Sequence, residues 1–412
     1  MADRGNCVDD MADLMARVTA AAGHLYHLRD TYFPASPHDK ISTLQRESNR
    51  ALELLNSIPS EQRRSPVQRA SFEYLQGKIL DVFPDYSKEA EDHLSKAVKL
   101  NPSLADAWLC LGNSIWKKGD LSSAKNCFML ALRKGPDLNI LCQLSMLERK
   151  MAQGTENSAE VVEESIQHAK EAVSLDVKDG NSWYNLGNAC LTSFFMTGTW
   201  DHKQLLQSLK AYQNAEKDDK MKSNPDLFYN RATVNKYLEN YERALSGFEA
   251  AASKDPSLNA SEEVRRIVNL LNKLESLLKG KAKTKQLMSS TPSMASIDLN
   301  HAYKRTTIDL LSEGLNKTVT ILGKVLAFVK HENSTPLNEL QNVLKSGEKA
   351  KKNMSFFRSF FPSRKYYLIC DSSGISHVLS VYGMSSDAVR TFPELFNHHL
   401  WWKYYHIFLS LD

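Results

Sequence analysis

Trp108-Leu-Cys-Leu-Gly-Asn-Ser-Ile-Trp-Lys-Lys-Gly119, continued by Asp120-Leu-Ser-Ser-Ala-Lys-Asn-Cys-Phe-Met-Leu-Ala-Leu-Arg-Lys-Gly-Pro136, decides the fold. Its fixed points are Trp108, Leu111-Gly112, Ile115, Ala124, Phe128, Ala131 and Pro136. They read as two helices joined by a short turn, with apolar residues recurring at helical spacing. Gly112 lets the first helix approach its neighbour. Ala124 and Ala131 keep the crossing tight, and Phe128 fills the space between units. Pro136 ends the second helix, because proline lacks an N–H and restricts the residue before it.

This order and spacing resembles the tetratricopeptide repeat (TPR). One such helix pair cannot bury its own apolar face, so units stack into a superhelix whose concave surface binds other proteins. Working outward, Ala90, Leu94, Ala97 and Pro102 repeat the second half of the motif, with Gly77 one residue out of register. Helices over Leu138–Gln153 and Val161–Leu175 form an atypical pair carrying Ala169 and Ala172. Trp183, Leu186 and Gly187 open a clearer unit, followed by an insertion over Phe194–Lys203 and a second helix with Ser208, Tyr212 and Ala215. Phe228, Ala232, Ala244, Phe248, Ala251 and Pro256 mark the last unit. A helix over Ser261–Gly280, apolar along Leu270, Leu274, Leu277 and Leu278, caps the stack. Ahead of the repeats, helices are expected at about residues 8–33 and Ile41–Asn56.

Composition changes after the cap. Ser289–Ser296 is rich in Ser, Thr, Pro and Met and reads as a linker. Val319–Val329 is a strand pattern bent at Gly323, and Tyr366–Asp371 with Ser376–Tyr382 reads as a hairpin. The expected fold class is therefore mainly α: a TPR superhelix, then a small β-rich OB-like domain whose later strands the sequence does not complete. The expected divisions are N-terminal helices 1–60, repeat array 61–280, basic and Ser/Thr-rich linker 281–314, OB-like domain 315–387 and an atypical tail 388–412.

The chain has 412 residues, 42% hydrophobic and 24% charged, with a net charge of +4, which is too small to imply nucleic-acid binding by itself. Its six cysteines lack CxxC spacing and read as reduced thiols inside an intracellular protein. The acidic N-terminus argues against a signal peptide, and no run approaches a membrane span, so no membrane partner is expected. P-loop, GxSxG, HExxH and GxGxxG patterns are missing, so neither an enzyme nor a cofactor or metal site is expected. His398-His399 lacks a carboxylate at ligand spacing, and Glu262-Glu263 reads as solvated helix surface.

Pro84-Asp-Tyr-Ser87, Ser95-Lys-Ala-Val-Lys-Leu100, Trp116-Lys-Lys-Gly-Asp120, Asp179-Gly180 with Ser182-Trp-Tyr184, Ser223-Asn-Pro-Asp-Leu227 and Ile321-Leu-Gly-Lys-Val325 occur in that order. In these blocks the chain resembles the tetratricopeptide repeat protein 5, or stress-responsive activator, family, over about Leu25–Asp387. The resemblance implies two roles. One is a nuclear cofactor assembling a histone acetyltransferase complex. The other is tubulin autoregulation, with the groove receiving the nascent tubulin N-terminus at the ribosome. It implies cytoplasmic and nuclear localisation, groove contacts at Arg149 and Asp226, and a ribosome-facing segment similar to Lys279–Lys285, with Lys279, Lys281, Lys283 and Lys285 as RNA contacts. A family acidic position falls on Ala260, and Val389–Asp412 departs from the family.

Read from the residues, the first helix of each unit lines the groove. Leu109, Asn113 and Trp116 fall there, then Tyr184, Asn185 and Asn188, then Asp226, Tyr229, Asn230, Thr233 and Lys236. Asparagine both donates and accepts, which suits an extended peptide backbone. Asp226 can accept from a cationic peptide N-terminus or an Arg, and Arg149 can fork onto a carboxylate. A Met-Arg-Glu peptide uses both. The alternative for all of these is an ordinary solvated or structural role, and Tyr184 and Trp116 read more as packing residues. Trp108, Trp183 and Phe128 are expected in the core. A clamp for a C-terminal carboxylate wants Lys one turn before the groove Asn, where Leu109 stands. Lys273 and the Lys279–Lys285 cluster either complement the helix dipole or contact an RNA backbone. The function expected is a non-enzymatic adaptor. The alternative is a nucleic-acid-binding protein that reads through its OB-like domain, with the repeats as scaffold.

Overall fold

The computed structural model describes residues 3–34, 36–153, 155, 157–196, 202–281, 304–306, 310, 319–329, 365–371, 376–381 and 406–410. Two helices open the chain, α1 (Asp3–Thr31) and α2 (Pro37–Asn56). Helix pairs follow: α3 (Pro66–Leu80) with α4 (Lys88–Leu100), α5 (Ala105–Lys118) with α6 (Leu121–Leu132), and α7 (Leu138–Met151) with α8 (Ser158–Leu175). Next come α9 (Gly180–Met196) and α10 (His202–Ala215), then the pair α11 (Pro225–Tyr237) and α12 (Tyr241–Lys254), and finally α13 (Ala260–Lys281).

Local chemistry sets these boundaries. Ser65 starts α3 with a capping box, accepting from Gln68 N–H while the Gln68 side chain accepts from Ser65 N–H. Asp120, Asp137 and Asn224 cap α6, α7 and α11 through their side-chain oxygens. Proline stands in the first turn of α2, α3 and α11, where its missing N–H costs nothing. Gly119 ends α5 at φ 95°, a left-handed conformation that glycine adopts without a Cβ clash.

Small residues on the first helix receive a large one from the second. A Cβ at Gly77 would stand 2.6 Å from Leu94 Cγ, and one at Gly112 would stand 2.6 Å from Phe128 Cδ1. A Cβ at Gly187 would stand 2.6 Å from Tyr212 Cδ1. Gly77 thus does the work of Gly112, and the apparent slip in its unit is taken up between α3 and α4. In the α11–α12 unit the roles reverse, with Gly247 on the second helix facing Ala232 on the first.

Val18, Ala22, Leu25, Leu44, Leu55 and Ile58 from α1, α2 and the turn after it pack with Phe72, Leu75 and Ile79 of α3. Phe128, Ala124 and Ala131 continue the core with Ile140, Leu144 and Leu147. Phe128 is fully buried, as expected. Trp108 and Trp183 differ from expectation: both are half-buried rather than core. Trp108 packs against two adjacent clusters while its Nε1 donates to the Pro102 carbonyl at 3.0 Å, and Trp183 Nε1 donates to the Val177 carbonyl at 2.8 Å. The polar edge of each indole needs that partner, which keeps it near the surface.

On α13, Leu270, Leu274 and Leu277 share one side. Glu263 is buried and paired with Arg266 Nη1 at 2.8 Å, which corrects its reading as solvated surface. The strands are β1 (Lys304–Thr306), β2 (Val319–Val329), β3 (Lys365–Asp371), β4 (Ser376–Val381) and β5 (His406–Ser410). The β3–β4 hairpin and long β2 fall where sequence placed them. β2 pairs antiparallel with β3, with a register shift between Val325 and Ala327, and parallel with both β1 and β5. β5 lies within the segment read as an atypical tail. The linker at 289–296, the basic aromatic stretch at 345–364 and His398-His399 lie outside the described residues.

Candidate functional site

Helices α9, α10 and α11 bring four polar side chains to one place. Asn230 Nδ2 donates to Asn188 Oδ1 at 3.0 Å and lies 3.4 Å from Tyr184 Oη. Tyr212 Oη, from α10, donates to the same Asn188 oxygen at 2.7 Å. Asn188 and Asn230 are buried, and Tyr184 is half-buried with its ring 6.1 Å from that of Tyr212. Asn188 Nδ2 and Asn230 Oδ1 are left without a hydrogen-bond partner, one donor beside one acceptor. Asn185 is also buried. Its Nδ2 donates back to the Asn181 carbonyl at 3.0 Å, and its Oδ1 makes no bond. Unmet polar atoms of this kind cost about 1–3 kcal/mol each and favour any ligand that completes them.

Arg149 is buried on α7, and its Nη1 donates to Ser145 Oγ at 2.9 Å. Ser145 Oγ lies 3.0 Å from Ser165 Oγ on α8, which also donates to the Ser145 carbonyl at 2.9 Å. Burial pushes the Cys142 thiol up to about 11 and the Cys190 thiol up to about 12, and the Arg149 charge opposes both shifts. The charge of Arg149 on α7 thus acts on Cys190 of α9 as well as on Cys142 of its own helix. Its neighbour Glu148 is fully buried, with Lys125 Nζ at 3.0 Å and His168 Nδ1 at 2.8 Å.

Asp226 is half-buried in the first turn of α11, and its N–H donates to Asn224 Oδ1 at 2.9 Å. Lys40 on α2 has its pKa lowered by burial, opposed by the charges of Asp30, Asp255 and Asp226. Tyr229 is buried edge-on against Phe248 at 5.1 Å, a packing position, and Thr233 Oγ1 donates to the Tyr229 carbonyl at 3.0 Å. Lys236 is half-buried with its Nζ 5.9 Å from the Phe248 ring centre. Asn113 and Leu109 are half-buried on α5, and Trp116 packs edge-on against Phe128 at 6.5 Å. Ala260 is buried. Lys279 and Lys281 lie at the end of α13, while Lys283 and Lys285 lie outside the described residues.

The array therefore joins Asn188, Asn230 and Tyr184, and leaves Arg149 on α7 and Asn113 on α5 in separate units. Several supporting groups are not among the groove residues named from the sequence. Asp81 is buried at the end of α3 with Lys117 Nζ of α5 at 3.0 Å. Lys117 Nζ also donates to the carbonyls of Asp81 and Phe83, the latter at 2.8 Å. Burial raises the Asp81 pKa, and Lys117 opposes the rise. Lys78 on α3 donates to Tyr74 Oη at 2.9 Å, with its Nζ 5.3 Å from the Tyr74 ring centre and 5.5 Å from that of Tyr26. Tyr26 on α1 donates to the Lys78 carbonyl at 3.1 Å.

Among the described residues no group of three His, Cys, Asp or Glu side chains is placed to hold a metal ion, and no helix is long and apolar enough to cross a membrane. Stacked helix pairs with small-to-large packing inside each unit, and polar side chains joining successive first helices, define a TPR protein-interaction scaffold. No protein-family model matches the chain. Human tetratricopeptide repeat protein 5 is 38% identical over 347 residues, covering 80% of this chain and 79% of its own length. The bovine protein of that name is 36% identical over 348 residues, with the same shares. The chain belongs to the tetratricopeptide repeat protein 5 family. Among solved structures it is similar to YrrB, described as "a TPR protein with an unusual peptide-binding site", at 20% identity over 53% of this chain and 97% of that one, with a TM-score of 0.36. It is also similar to the APC/C hetero-tetramer Cut9–Hcn1, at 15% identity over 54% of this chain and 40% of that one, with a TM-score of 0.43.

Proposed function

We propose that the chain is an adaptor whose repeat array binds an extended peptide beginning Met-Arg-Glu. The observation carrying this reading is the buried Asn188–Asn230 pair, with one amide donor and one carbonyl acceptor unmet. A peptide backbone supplies the complementary acceptor and donor with a single residue. Asp226 on one side takes the peptide's cationic end, and Arg149 on the other takes the Glu carboxylate in fork geometry. In this reading the peptide N-terminus lies toward α11 and the chain runs toward α7.

Its biological form would be the N-terminus of nascent tubulin, with the end of α13 and the lysines after it docking on the ribosome. Assembly of a histone acetyltransferase complex would be a second use of the same groove. The strands would form an OB-like barrel, a reading supported by the register shift in β2 and its three partner strands.

The test is fluorescence anisotropy of a labelled Met-Arg-Glu peptide on the full-length protein. Arg149→Met and Asp226→Asn should each weaken binding by about tenfold or more, the scale of a lost charged contact. Wild-type affinity in both variants would overturn the assignment.

A further inference from the structure

The repeat register places Lys78 where the groove asparagines stand. Each follows the close-approach glycine of its unit: Gly77-Lys78, Gly112-Asn113 and Gly187-Asn188. The neutral amide of the α5–α6 and α9–α10 units is thus a cation in the first. Lys78 is half-buried between the Tyr26 and Tyr74 rings. The Tyr74 hydroxyl is its hydrogen-bond partner, and no carboxylate among the described residues pairs with it. The other charges at this end are committed. Lys117 holds Asp81 at 3.0 Å, and Arg29 on α1 holds Asp30 at 2.7 Å. Asp106, in the first turn of α5, acts by its charge on Tyr74 and on Cys110, raising the pKa of each. Burial keeps both tyrosines neutral, so their hydroxyls remain donors.

We propose that Lys78, flanked by Tyr26 and Tyr74, is a second anionic subsite of the groove and takes the side-chain carboxylate of an acidic residue downstream in the bound peptide. The proposal rests on the peptide-groove reading above, which sets the direction of the chain. From Arg149 on α7 the peptide would pass α5 to reach α3, two interhelical steps of about 8–10 Å each. An extended chain advances about 3.3–3.6 Å per residue, so the second acid falls about five or six residues after the Glu that meets Arg149. The two tyrosines sharpen this choice. The Tyr74 hydroxyl holds the ammonium at 2.9 Å and the Tyr26 ring centre lies 5.5 Å from it, so the half-buried cation is partly shielded from water, which strengthens an ion pair over one in open solvent.

The test uses the full chain and C-terminally amidated peptides, so that any carboxylate is a side chain. Each peptide begins Met-Arg-Glu and continues in Gly/Ser/Ala, with Glu or Gln placed four to eight residues after the first Glu. The Glu peptide at spacing five or six should bind about fivefold tighter than its Gln partner, an advantage that high salt erodes. Lys78→Met should erase that advantage while leaving the Gln peptides unchanged, a control that also reports folding. Equal binding of Glu and Gln peptides at every spacing, with the Met-Arg-Glu core still bound, would overturn this proposal alone. Failure of every peptide to bind would overturn the groove reading and the subsite with it.

Discussion

Asn230 on α11 donates to Asn188 on α9 at 3.0 Å, so consecutive first helices are tied by their side-chain amides. Asn188 Oδ1 accepts from Tyr212 as well, at 2.7 Å. One oxygen therefore fixes both the partner helix within its unit and the next unit along. Asn188→Leu removes the acceptor and strands the Tyr212 hydroxyl and the Asn230 amide in a buried site. The expected loss is about 2–3 kcal/mol in urea denaturation, against about 1 kcal/mol for Tyr212→Phe, which removes only a donor. Equal costs for the two would show that the shared oxygen carries no special burden.

Gly112 tests the packing rule within a unit. A Cβ there would stand 2.6 Å from Phe128 Cδ1 and 3.2 Å from Cys127 Cβ. The ring is fully buried and cannot retreat. Gly112→Ala should therefore cost about 2–3 kcal/mol, despite alanine's better helix propensity. Phe128→Leu should recover part of that cost in the double variant. A neutral or stabilising Gly112→Ala in thermal melts would show that propensity outweighs the clash.

Lys117 is tethered to Asp81, which is buried, and to the backbone that follows it. Lys117→Met leaves an uncompensated carboxylate and two carbonyls, and should destabilise by about 3–5 kcal/mol. Adding Asp81→Asn should restore much of the loss, because the charge that needed Lys117 is gone. If the double variant is as unstable as the single one, the carbonyl tethers matter more than the ion pair.

His168 gives the fold a pH dependence of known sign. Its hydrogen bond to Glu148 raises the imidazole pKa above the ordinary value of 6.5, against the opposing effect of burial. A raised histidine pKa stabilises the fold below the unfolded-state pKa, and that contribution disappears as pH rises through the folded-state value. Stability measured by urea from pH 5.5 to 8.5 should fall over that range in wild type relative to His168→Gln. Parallel curves for the two proteins would remove the pair from the account.

The repeat spacing alone located Phe128, Gly112 and the helix pairs, because a periodic apolar pattern survives any choice of solvent-facing residues. Leucine spacing located α13, and strand patterns located β2, β3 and β4. Trp108 and Trp183 misled, because a large aromatic reads as core while its indole N–H seeks a carbonyl at the surface. Glu263 misled in the opposite direction, since a charged residue reads as solvated until its partner Arg266 is seen beside it. Among the site residues, the sequence named Asn188, Asn230 and Tyr184 but gave no hint that the two amides meet. That meeting depends on how one unit stacks on the next, which no single repeat encodes. The sequence marks Tyr212 only as a second-helix position and passes over Asp81 and Glu148, because each sits in a slot the repeat motif leaves unspecified or fills with an apolar residue.

Phe128 and Tyr212 occupy the same slot, each wedged against the glycine of its own unit. They differ by one hydroxyl, and in the second case that hydroxyl reaches Asn188. Under the peptide-groove proposal, a duplicated unit can therefore gain a foothold for recognition through one added oxygen atom while its backbone and packing stay in place. Divergence among the copies in such an array need not begin at the surface that meets the ligand. It can begin at the wedge behind it, where a change that is nearly silent for folding presets the orientation of the side chain in front.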